Sequence, residues 1–492
     1  MLLLGIDIGT SSIKVSVTNA QTGLAVASGQ FPEDTESGII SVHPGWAEQS
    51  PDMWWQHVQQ AVLKAHASGR YNSKDIGAIG IAYQMHGLVL VDAQQNALRN
   101  SIIWCDSRAV GIGEAALHAI GPQKSLSHLL NSPGNFTASK LAWVKANEPA
   151  IYDRIDKIML PGDFIAMKLT GEITTSISAL SEGIFWDFTN NQLSADVFAY
   201  FGFDKNFIPP IQPVFSEHGK ITAATAALLS LTPGTPVTYK AGDQPNNALS
   251  LNVLEPGEVA ATAGTSGVIY GVSDALTYDP QSRVNTFAHV NYTTDNIRTG
   301  VLLCINGTGI LNRWVKNAFS PAVNYAAMNT EAASVAAGAE GLKILPFGNG
   351  AERMLNNKMI GAQFHGIDLN MHTRAHIIRA AQEGIAFSFR YGLDIMRENG
   401  MSPQVIRAGR ANLFLSNVFA KAFVDATNTP VELYDCDGSA GAAIGAGIGV
   451  GAYASAKEAF SNTKPLQLIE PTAAKTYDGF YQEWKEILLK QL

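Results

Sequence analysis

The first thirty residues follow a pattern that predicts three β-strands. Leu2–Ile8 is an apolar run, residues 13–17 alternate apolar and polar side chains, and Leu24–Gln30 follows a Gly-containing turn. Alternation with a period of two is typical of a strand with one buried face. We expect an antiparallel triplet, because a doubly wound dinucleotide-binding fold would reach its first helix directly after the first strand.

Helical periodicity begins at residue 50. Ser50 supplies an N-cap, Pro51 occupies the first helical position, and apolar residues then recur at helical spacing. Ile76–Ala82 predicts a further strand, and Leu88–Asp92 predicts its hairpin return. The region from about residue 101 to 233 mixes helices and short strands, and its pattern does not define their order.

The opening pattern returns loosely near the middle of the chain. Strand, Gly-Thr-Ser turn and strand occur around Gly9–Ser11 and again around Gly264–Ser266. This repetition predicts two related halves, which we divide into residues 1–248 and 249–492. No low-complexity linker or charge run separates them, which favours two domains that share a cleft. The last third predicts alternating helices and strands, at residues 372–395, 404–407, 414–426, 430–433 and 438–453.

The charge balance argues against a nucleic-acid or membrane partner. Of the 492 residues, 34 are Lys or Arg and 42 are Asp or Glu, so the formal net charge is 34 − 42 = −8. This leaves no excess of cations for a broad basic surface. Apolar residues make up 46% of the chain and charged residues 15%, which is typical of a globular protein with a large core.

Three cysteines and an unremarkable N-terminus favour the cytoplasm. Cys105, Cys304 and Cys436 are too few and too scattered for a disulfide framework. The first residues carry no basic flank, and Asp7 interrupts them, so they are a poor signal peptide. The Gly/Ala-rich run 438–455 predicts a tightly packed helix rather than a membrane span.

Three small-residue turns are candidate phosphate sites. Asp7 ends a buried strand just before Gly9-Thr10, where turn N–H groups could cradle phosphate oxygens and the carboxylate could hold Mg²⁺. Gly264–Gly267 is a second such turn, and Ala408–Ala411 a third, with a following helix whose N-terminus could favour an anion. The alternatives are a turn-capping Asp, an ordinary hairpin and an ordinary loop. None of the three matches the P-loop pattern.

Three further segments could handle a hydroxylated substrate. Asp243 ends a strand at the boundary of the halves and could accept the proton of an attacking hydroxyl, or it could merely cap the next helix. Gln84-Met85-His86 ends a buried strand and could face a polyol, although a satisfied core histidine is the alternative. Trp104–Arg108 is a second candidate sugar loop, whose alternative is a surface ion pair between Asp106 and Arg108.

In order and spacing, these segments resemble the FGGY carbohydrate kinases over nearly the whole chain. The matching motifs include Gly5–Ser11, Gln84–Gly87, Trp104–Arg108, Gly242-Asp243, Gly264–Gly267, Leu345–Phe347 with Glu352-Arg353, and the Gly409 loop with the terminal Gly/Ala helix. The resemblance implies an α/β protein with two ribonuclease H-like domains, of the actin and hexokinase ATPase type, around a central cleft. It also implies ATP and Mg²⁺ as cofactors, a small sugar as substrate, and a homodimer as one option.

The resemblance assigns roles to individual residues. Asp243 would be the catalytic base and Asp7 would organise Mg²⁺. On the sugar side it implies Gln84, Met85, His86, Asp106, Arg108 and Gln244. Near the nucleotide it implies Gly9, Thr10, Ser11, Gly264, Thr265, Ser266, Gly409, Arg410 and Ala411.

The implied reaction is phosphorylation of D-xylulose at its terminal hydroxyl. Three positions depart from the family pattern: Gln244 and Cys105 each stand where Asn is common, and Arg410 stands where Gly is common. The first two bear on the sugar and the third on the nucleotide. The alternatives are another polyol or sugar acid, such as gluconate, glycerol, ribulose or sedoheptulose, and a non-catalytic actin-like nucleotide switch.

Overall fold

A computed structural model of the chain describes residues 1–34 and 38–492. The strands are β1 (Leu2–Ile8), β2 (Ile13–Asn19), β3 (Ala25–Phe31), β4 (Glu48–Gln49), β5 (Ile76–Tyr83), β6 (Val89–Val91), β7 (Ser101–Ile102), β8 (Lys157–Met159), β9 (Trp186–Asp187), β10 (Gln192–Leu193), β11 (Val237–Gly242), β12 (Val259–Ala263), β13 (Gly267–Ser273), β14 (Asn285–Ala288), β15 (Thr299–Ile305), β16 (Lys343–Phe347), β17 (Gly361–His365), β18 (Ile406–Gly409), β19 (Val431–Tyr434) and β20 (Gln467–Ile469).

The α-helices are α1 (Pro51–Ala67), α2 (Val110–Ile120), α3 (Pro122–Leu129), α4 (Thr137–Asn147), α5 (Pro149–Tyr152), α6 (Pro161–Thr170), α7 (Ile177–Glu182), α8 (Ala195–Phe201), α9 (Ala223–Leu228), α10 (Asp243–Ser250), α11 (Gly309–Phe319), α12 (Tyr325–Ala333), α13 (Arg374–Glu398), α14 (Asn417–Thr427), α15 (Gly438–Gly449), α16 (Ala456–Ala459) and α17 (Ala474–Leu489). None of those within the described ranges is long and apolar enough to cross a membrane.

The first sheet has the strand order β11-β5-β1-β2-β3. The first three strands pair antiparallel, as the alternating pattern predicts, and β5 and β11 add in parallel on the other side of β1. Helix α1 begins at the predicted cap, where the Ser50 hydroxyl accepts a hydrogen bond from Met53 N–H, and it packs on β2 and β3. Its buried face supplies part of the core of the first domain.

The second sheet repeats this arrangement. Its order is β14-β15-β13-β12-β18-β19-β20, with β12, β13 and β15 antiparallel and β18 and β19 added in parallel beside β12. In both sheets the order of the five shared strands is third, second, first, fourth, fifth. The prediction of two ribonuclease H-like domains is therefore confirmed. The division after residue 248 stays a prediction; that position lies inside α10.

Helix α15 joins the two domains. It follows β19 of the second sheet in the chain, yet it packs on β1 and β5 of the first sheet. The approach is close because glycines face it: a Cβ at Gly5 would lie 1.8 Å from the Ser439 carbonyl oxygen, and one at Gly80 would lie 2.0 Å from that of Ala442. Alanines of α15 and residues of the first sheet form one apolar cluster. The two domains are thus held together at the base of the cleft.

We expect Gly5→Ala to destabilise the protein, because the added methyl group would collide with the backbone of α15. Overpacking of this kind lowers the free energy of unfolding by about 1–3 kcal/mol. Urea unfolding measures the change. Gly111→Ala in α2 is the matched control, since no atom lies within 4 Å of its Cβ position, and we expect its stability to be unchanged or slightly higher. Equal stability of the two variants would contradict the close contact.

Three local predictions differ from the structure. Strand β6 does not return along β5 as a hairpin; it pairs with β8, which the middle region supplies. The Gly/Ala helix ends at Gly449 instead of residue 453. The loop after β18 does not open directly into a helix N-terminus, because a 3-10 turn at Asn412–Leu415 precedes α14. The N-terminus that follows this loop is that of the 3-10 turn, and an anion site there stays a prediction.

Candidate active site

The carboxyl ends of three neighbouring strands bring the predicted site residues together. In the parallel pairing of β1, β5 and β11, Ile8 lies opposite Tyr83, and Tyr83 lies opposite Gly242. The segments that follow these positions therefore start at the same edge of the sheet. As a result Asp7, the segment 84–86 and Asp243 converge on the interdomain cleft.

Asp7 and Asp243 form an electrostatically coupled carboxylate pair. Burial, and secondarily the negative charge of Asp7, raises the pKa of Asp243 to about 7. Burial, then Asp437, raises the pKa of Asp7 to about 6. The Asp7 carboxylate lies against the first residue of α15, where a Cβ at Gly438 would be 2.5 Å from Oδ2. A raised pKa close to neutrality suits a group that must accept a proton.

Gln244 hydrogen-bonds to the Asp243 carboxylate through both its main chain and its side chain. Its amide is thus close to the candidate base, and its contact with a sugar stays a prediction. Met85 lies beside the same strand end, because a Cβ at Gly242 would stand 2.6 Å from Met85 Cγ. Met85 is buried and forms an apolar wall between β5 and β11.

Gln84 links the candidate phosphate turn at Gly9-Thr10 to the sheet by hydrogen bonds. The Thr10 hydroxyl donates to Gln84 Oε1 (3.3 Å), Gln84 Nε2 donates to Gln49 Oε1 (2.9 Å), and Gln49 Nε2 donates to the Thr10 carbonyl oxygen (2.7 Å). Trp104, which is 52% exposed, donates from Nε1 to the Thr10 hydroxyl (2.9 Å). Gln84 is 2% exposed and its amide hydrogen-bonds at both ends; a direct contact with a sugar stays a prediction. Gln84 positions the turn.

His86 is held in one tautomer at the end of β5. It adopts a left-handed backbone conformation with φ 63°, and its Nδ1–H donates to the main-chain oxygen of Glu182 (3.1 Å). Burial, then the charge of Lys140, lowers its pKa to about 3. The ring is therefore neutral, and Nε2 is an acceptor suited to a sugar hydroxyl.

Glu182 is a site residue that the sequence reasoning missed. It ends α7, is 1% exposed, and its Oε1 accepts from His86 N–H (3.4 Å). Its Oε2 is buried without a partner and would lie 2.8 Å from a Cβ at Gly242. Burial, with Asp243 as an added negative charge, raises its pKa well above the ordinary value. The signal available was a carboxylate inside the largely apolar run 180–188, which also contains Asp187.

We expect Glu182→Gln to keep near wild-type turnover, because a neutral amide of the same shape replaces a carboxyl group whose raised pKa favours its neutral form. Glu182→Ala should raise the KM for the sugar, since it removes the acceptor of the His86 N–H group and leaves a cavity beside Met85. Steady-state kinetics on both variants measure the difference. A large loss in Glu182→Gln would show that the ionised carboxylate is needed.

Asp106 and Arg108 form a buried ion pair inside the first domain, and their contact with the sugar stays a prediction. Asp106 is fully buried and accepts from Ala47 N–H, and the Arg108 guanidinium pairs with Asp106 and with Glu48 (2.7 Å each). Arg108 also lies over the Trp46 ring, 3.8 Å from its centroid. Both side chains form their ion pairs within the first domain, so the pair anchors the loop that carries Trp104.

The second phosphate turn lies beside a cavity in the second domain. Gly264 and Thr265 follow β12, and their carbonyl oxygens accept from the first N–H groups of α11. The cavity has a volume of about 340 Å³. Its wall contains Asn312, Arg313, Tyr325, Asn329, Asn412, Leu413, Leu415 and Ser416. The sequence reasoning missed these residues, because they come from helices and a 3-10 turn distant in the chain.

The third Gly-containing loop lies at the adjacent strand end. Gly409 ends β18, which pairs in parallel with β12, and a Cβ there would be 2.9 Å from Cys436 Sγ. Arg410 donates its main-chain N–H to the Tyr434 carbonyl oxygen (2.8 Å), and its side chain is exposed. Arg410 and Ala411 therefore lie at the rim and Asn412 lines the cavity. The predicted nucleotide contacts all stay predictions: those of Gly409, Arg410 and Ala411, of Gly9, Thr10 and Ser11, and of Gly264, Thr265 and Ser266.

The residues around Asp7 fit a magnesium ion that is held mainly by phosphates and water. Asp7, Asp243 and Asp437 bring negative charge together at one edge of the cleft. No group of three or more potential protein ligands occurs among residues 1–34 and 38–492. Mg²⁺ commonly takes one or two carboxylates and keeps several waters. A single direct or water-mediated ligand at Asp7 satisfies that requirement.

Comparison with known proteins accounts for both domains. The model of the FGGY family of carbohydrate kinases, N-terminal domain, matches residues 2–250, and that of the C-terminal domain matches residues 259–455. A xylulose kinase from Escherichia coli is 29% identical over 458 residues, which cover 90% of this chain and 88% of the relative.

Solved structures have the same architecture. The xylulose kinase from Rhodospirillum rubrum superposes with a TM-score of 0.87 at 28% identity, covering 100% of this chain and 99% of that one. A gluconate kinase from Lactobacillus acidophilus reaches 0.88 at 22% identity, covering 99% and 97%, which shows the shared fold. The chain belongs to the FGGY family of carbohydrate kinases and is a sugar phosphotransferase that uses ATP and Mg²⁺.

Proposed function

We propose that the protein phosphorylates D-xylulose at its terminal hydroxyl, with Asp243 as the general base. The observation that carries this proposal is the convergence of Asp243, Asp7 and His86 at the ends of three adjacent strands. The relatives named above as xylulose kinases support D-xylulose as the sugar.

The chemistry follows from this arrangement. The neutral His86 ring accepts a hydrogen bond from one sugar hydroxyl and holds the reactive hydroxyl toward Asp243. As its oxygen bonds to the γ-phosphorus of ATP, the hydroxyl gives its proton to the Asp243 carboxylate. The bond between the γ-phosphorus and its bridging oxygen breaks, and ADP leaves. Mg²⁺ neutralises charge on the phosphate oxygens when bound, and Asp7 is the residue placed to hold it.

The direct test is ADP release by the purified protein with ATP and Mg²⁺. The panel contains D-xylulose, D-ribulose, L-ribulose, L-xylulose, glycerol, gluconate and sedoheptulose. We expect kcat/KM for D-xylulose to exceed that for the other compounds by a factor of about 10 or more. Preference for another sugar would overturn the proposed substrate, and no response to any would favour the nucleotide switch.

Activity should rise with pH through neutrality. Asp243 must be ionised to accept a proton, and its raised pKa of about 7 leaves it partly protonated at pH 7. We therefore expect kcat/KM for the sugar to fall as the pH drops below about 7. In Asp7→Asn the midpoint should move to lower pH, because the negative charge that opposes ionisation of Asp243 is gone. A profile that is flat between about pH 5 and about pH 9 would contradict this assignment.

The proposed setting is the cytoplasm, where ATP is available. The three cysteines are free thiols in the structure, which fits a reducing compartment. The homodimer allowed by the family resemblance stays a prediction, which light scattering of the purified chain would test.

A further inference from the structure

Arg353 reaches from the second domain to the sugar side of the first. It begins the 3-10 turn Arg353–Leu355, and its guanidinium carbon lies 6.0 Å from the Phe136 ring centroid. Phe136 belongs to the first domain and packs edge-on against His86, with ring centroids 4.8 Å apart. Phe287 of β14 is the third aromatic residue of this group. Its ring centroid lies 5.3 Å from that of His86 and 5.8 Å from that of Phe136. Both domains therefore contribute to the wall around His86.

The charge of Arg353 lacks an anionic partner in the described ranges. Its Nη1 donates to the neutral Asn285 Oδ1 (2.7 Å), and no carboxylate of residues 1–34 or 38–492 lies within ion-pair distance. The adjacent Glu352 instead accepts from the main-chain N–H groups of Asn306 (3.0 Å) and Gly307 (2.9 Å). Arg108, in contrast, has two carboxylate partners.

Burying a cation without an anionic partner costs folding free energy, and a bound ligand with acceptor oxygens would offset that cost. Burial lowers the pKa of the Arg353 guanidinium, and its charge contributes to the lowered pKa of His86. A guanidinium has five N–H donors and no acceptor, and Asn285 accounts for one of them. A sugar bound at His86 would bring hydroxyl and carbonyl oxygens, which are acceptors, to the same wall.

We propose that Arg353 is a specificity-determining residue that contacts the sugar from the second domain. It donates hydrogen bonds to the oxygens at the end of the sugar remote from the phosphorylated hydroxyl. The inference rests on the proposed function, because it takes His86 to hold the sugar and Asp243 to face the reacting end. Since the contact comes from the opposite domain, sugar binding also favours the closed cleft.

Arg353→Gln and Arg353→Lys test this role, with the exposed Arg374→Gln of the same domain as control. We expect Arg353→Gln to raise the KM for the sugar about 10- to 100-fold, the loss associated with hydrogen bonds to a charged group. The KM for ATP and kcat should stay within about twofold of wild type, because the contact holds the bound sugar without touching the transferred phosphoryl group. Arg353→Lys should recover part of the loss.

Other results would overturn the inference. An unchanged KM for the sugar would exclude the contact, and a fall in kcat alone would place Arg353 at the phosphoryl group. Equal rises in both KM values, with a lowered melting temperature, would indicate a structural role only. The KM of each variant is compared with that of the wild type for the sugar that the wild type prefers. The identity of that sugar tests the proposed substrate, whereas the ratio of the KM values tests the role of Arg353.

Discussion

Replacing Asp243 by Asn lowers kcat about 10²- to 10⁴-fold, the range associated with loss of a general base. The amide keeps the shape of the carboxylate but cannot accept the hydroxyl proton. The KM for the sugar changes little, because His86 and Met85 remain. Single-turnover phosphorylation of the sugar measures the effect. Asp204→Asn, at the exposed cap of a 3-10 helix, is the control and keeps wild-type turnover.

The same variant separates catalysis from folding. Burial raises the pKa of Asp243 to about 7, above its ordinary value in an unfolded chain, so ionisation of this group opposes folding as the pH rises through 7. Asp243→Asn removes that penalty, and we expect its melting temperature at about pH 8 to equal or exceed that of the wild type. An inactive variant that is also unstable would leave Asp243 without its assigned role, whereas near-normal turnover would exclude it as the base.

Replacing Asp7 by Asn raises the Mg²⁺ concentration needed for half-maximal activity about 10- to 100-fold, as loss of a group that supports a bound metal does. The neutral amide is tolerated by the fold, because burial and Asp437 already raise the pKa of Asp7 to about 6. Titration of activity with Mg²⁺ at saturating sugar measures the shift, again beside Asp204→Asn. An unchanged Mg²⁺ requirement would remove Asp7 from the metal site.

The sheets could be predicted because their strands are continuous apolar runs bounded by small-residue turns. Leu2–Ile8 and Val259–Ala263 show this pattern, and each lies at the centre of a sheet. Asp7 and Asp243 could be singled out because each lies at the end of a predicted strand, Asp7 within β1 and Asp243 directly after β11. The long helix α13 could be predicted because its apolar residues recur at helical spacing along one face.

The environment of a charged side chain could not be predicted from its neighbours in the chain. Asp106 and Arg108 form the same short-range pair whether exposed or buried, and the residues that bury them, Trp46 and Trp143, are distant in sequence. Glu182 and Arg353 likewise reach His86 only through folding, from α7 and from the opposite domain. Their roles depend on contacts that no local pattern contains.

The identity of the phosphorylated product tests the central claim most directly. The wild-type protein is incubated with ATP, Mg²⁺ and D-xylulose, and the product is examined by phosphorus-31 and carbon-13 NMR. We predict D-xylulose 5-phosphate as the single phosphorylated sugar, formed in equal amount with ADP. Phosphate on a different hydroxyl, or ADP formed without any phosphorylated sugar, would contradict phosphorylation of D-xylulose at its terminal hydroxyl through Asp243.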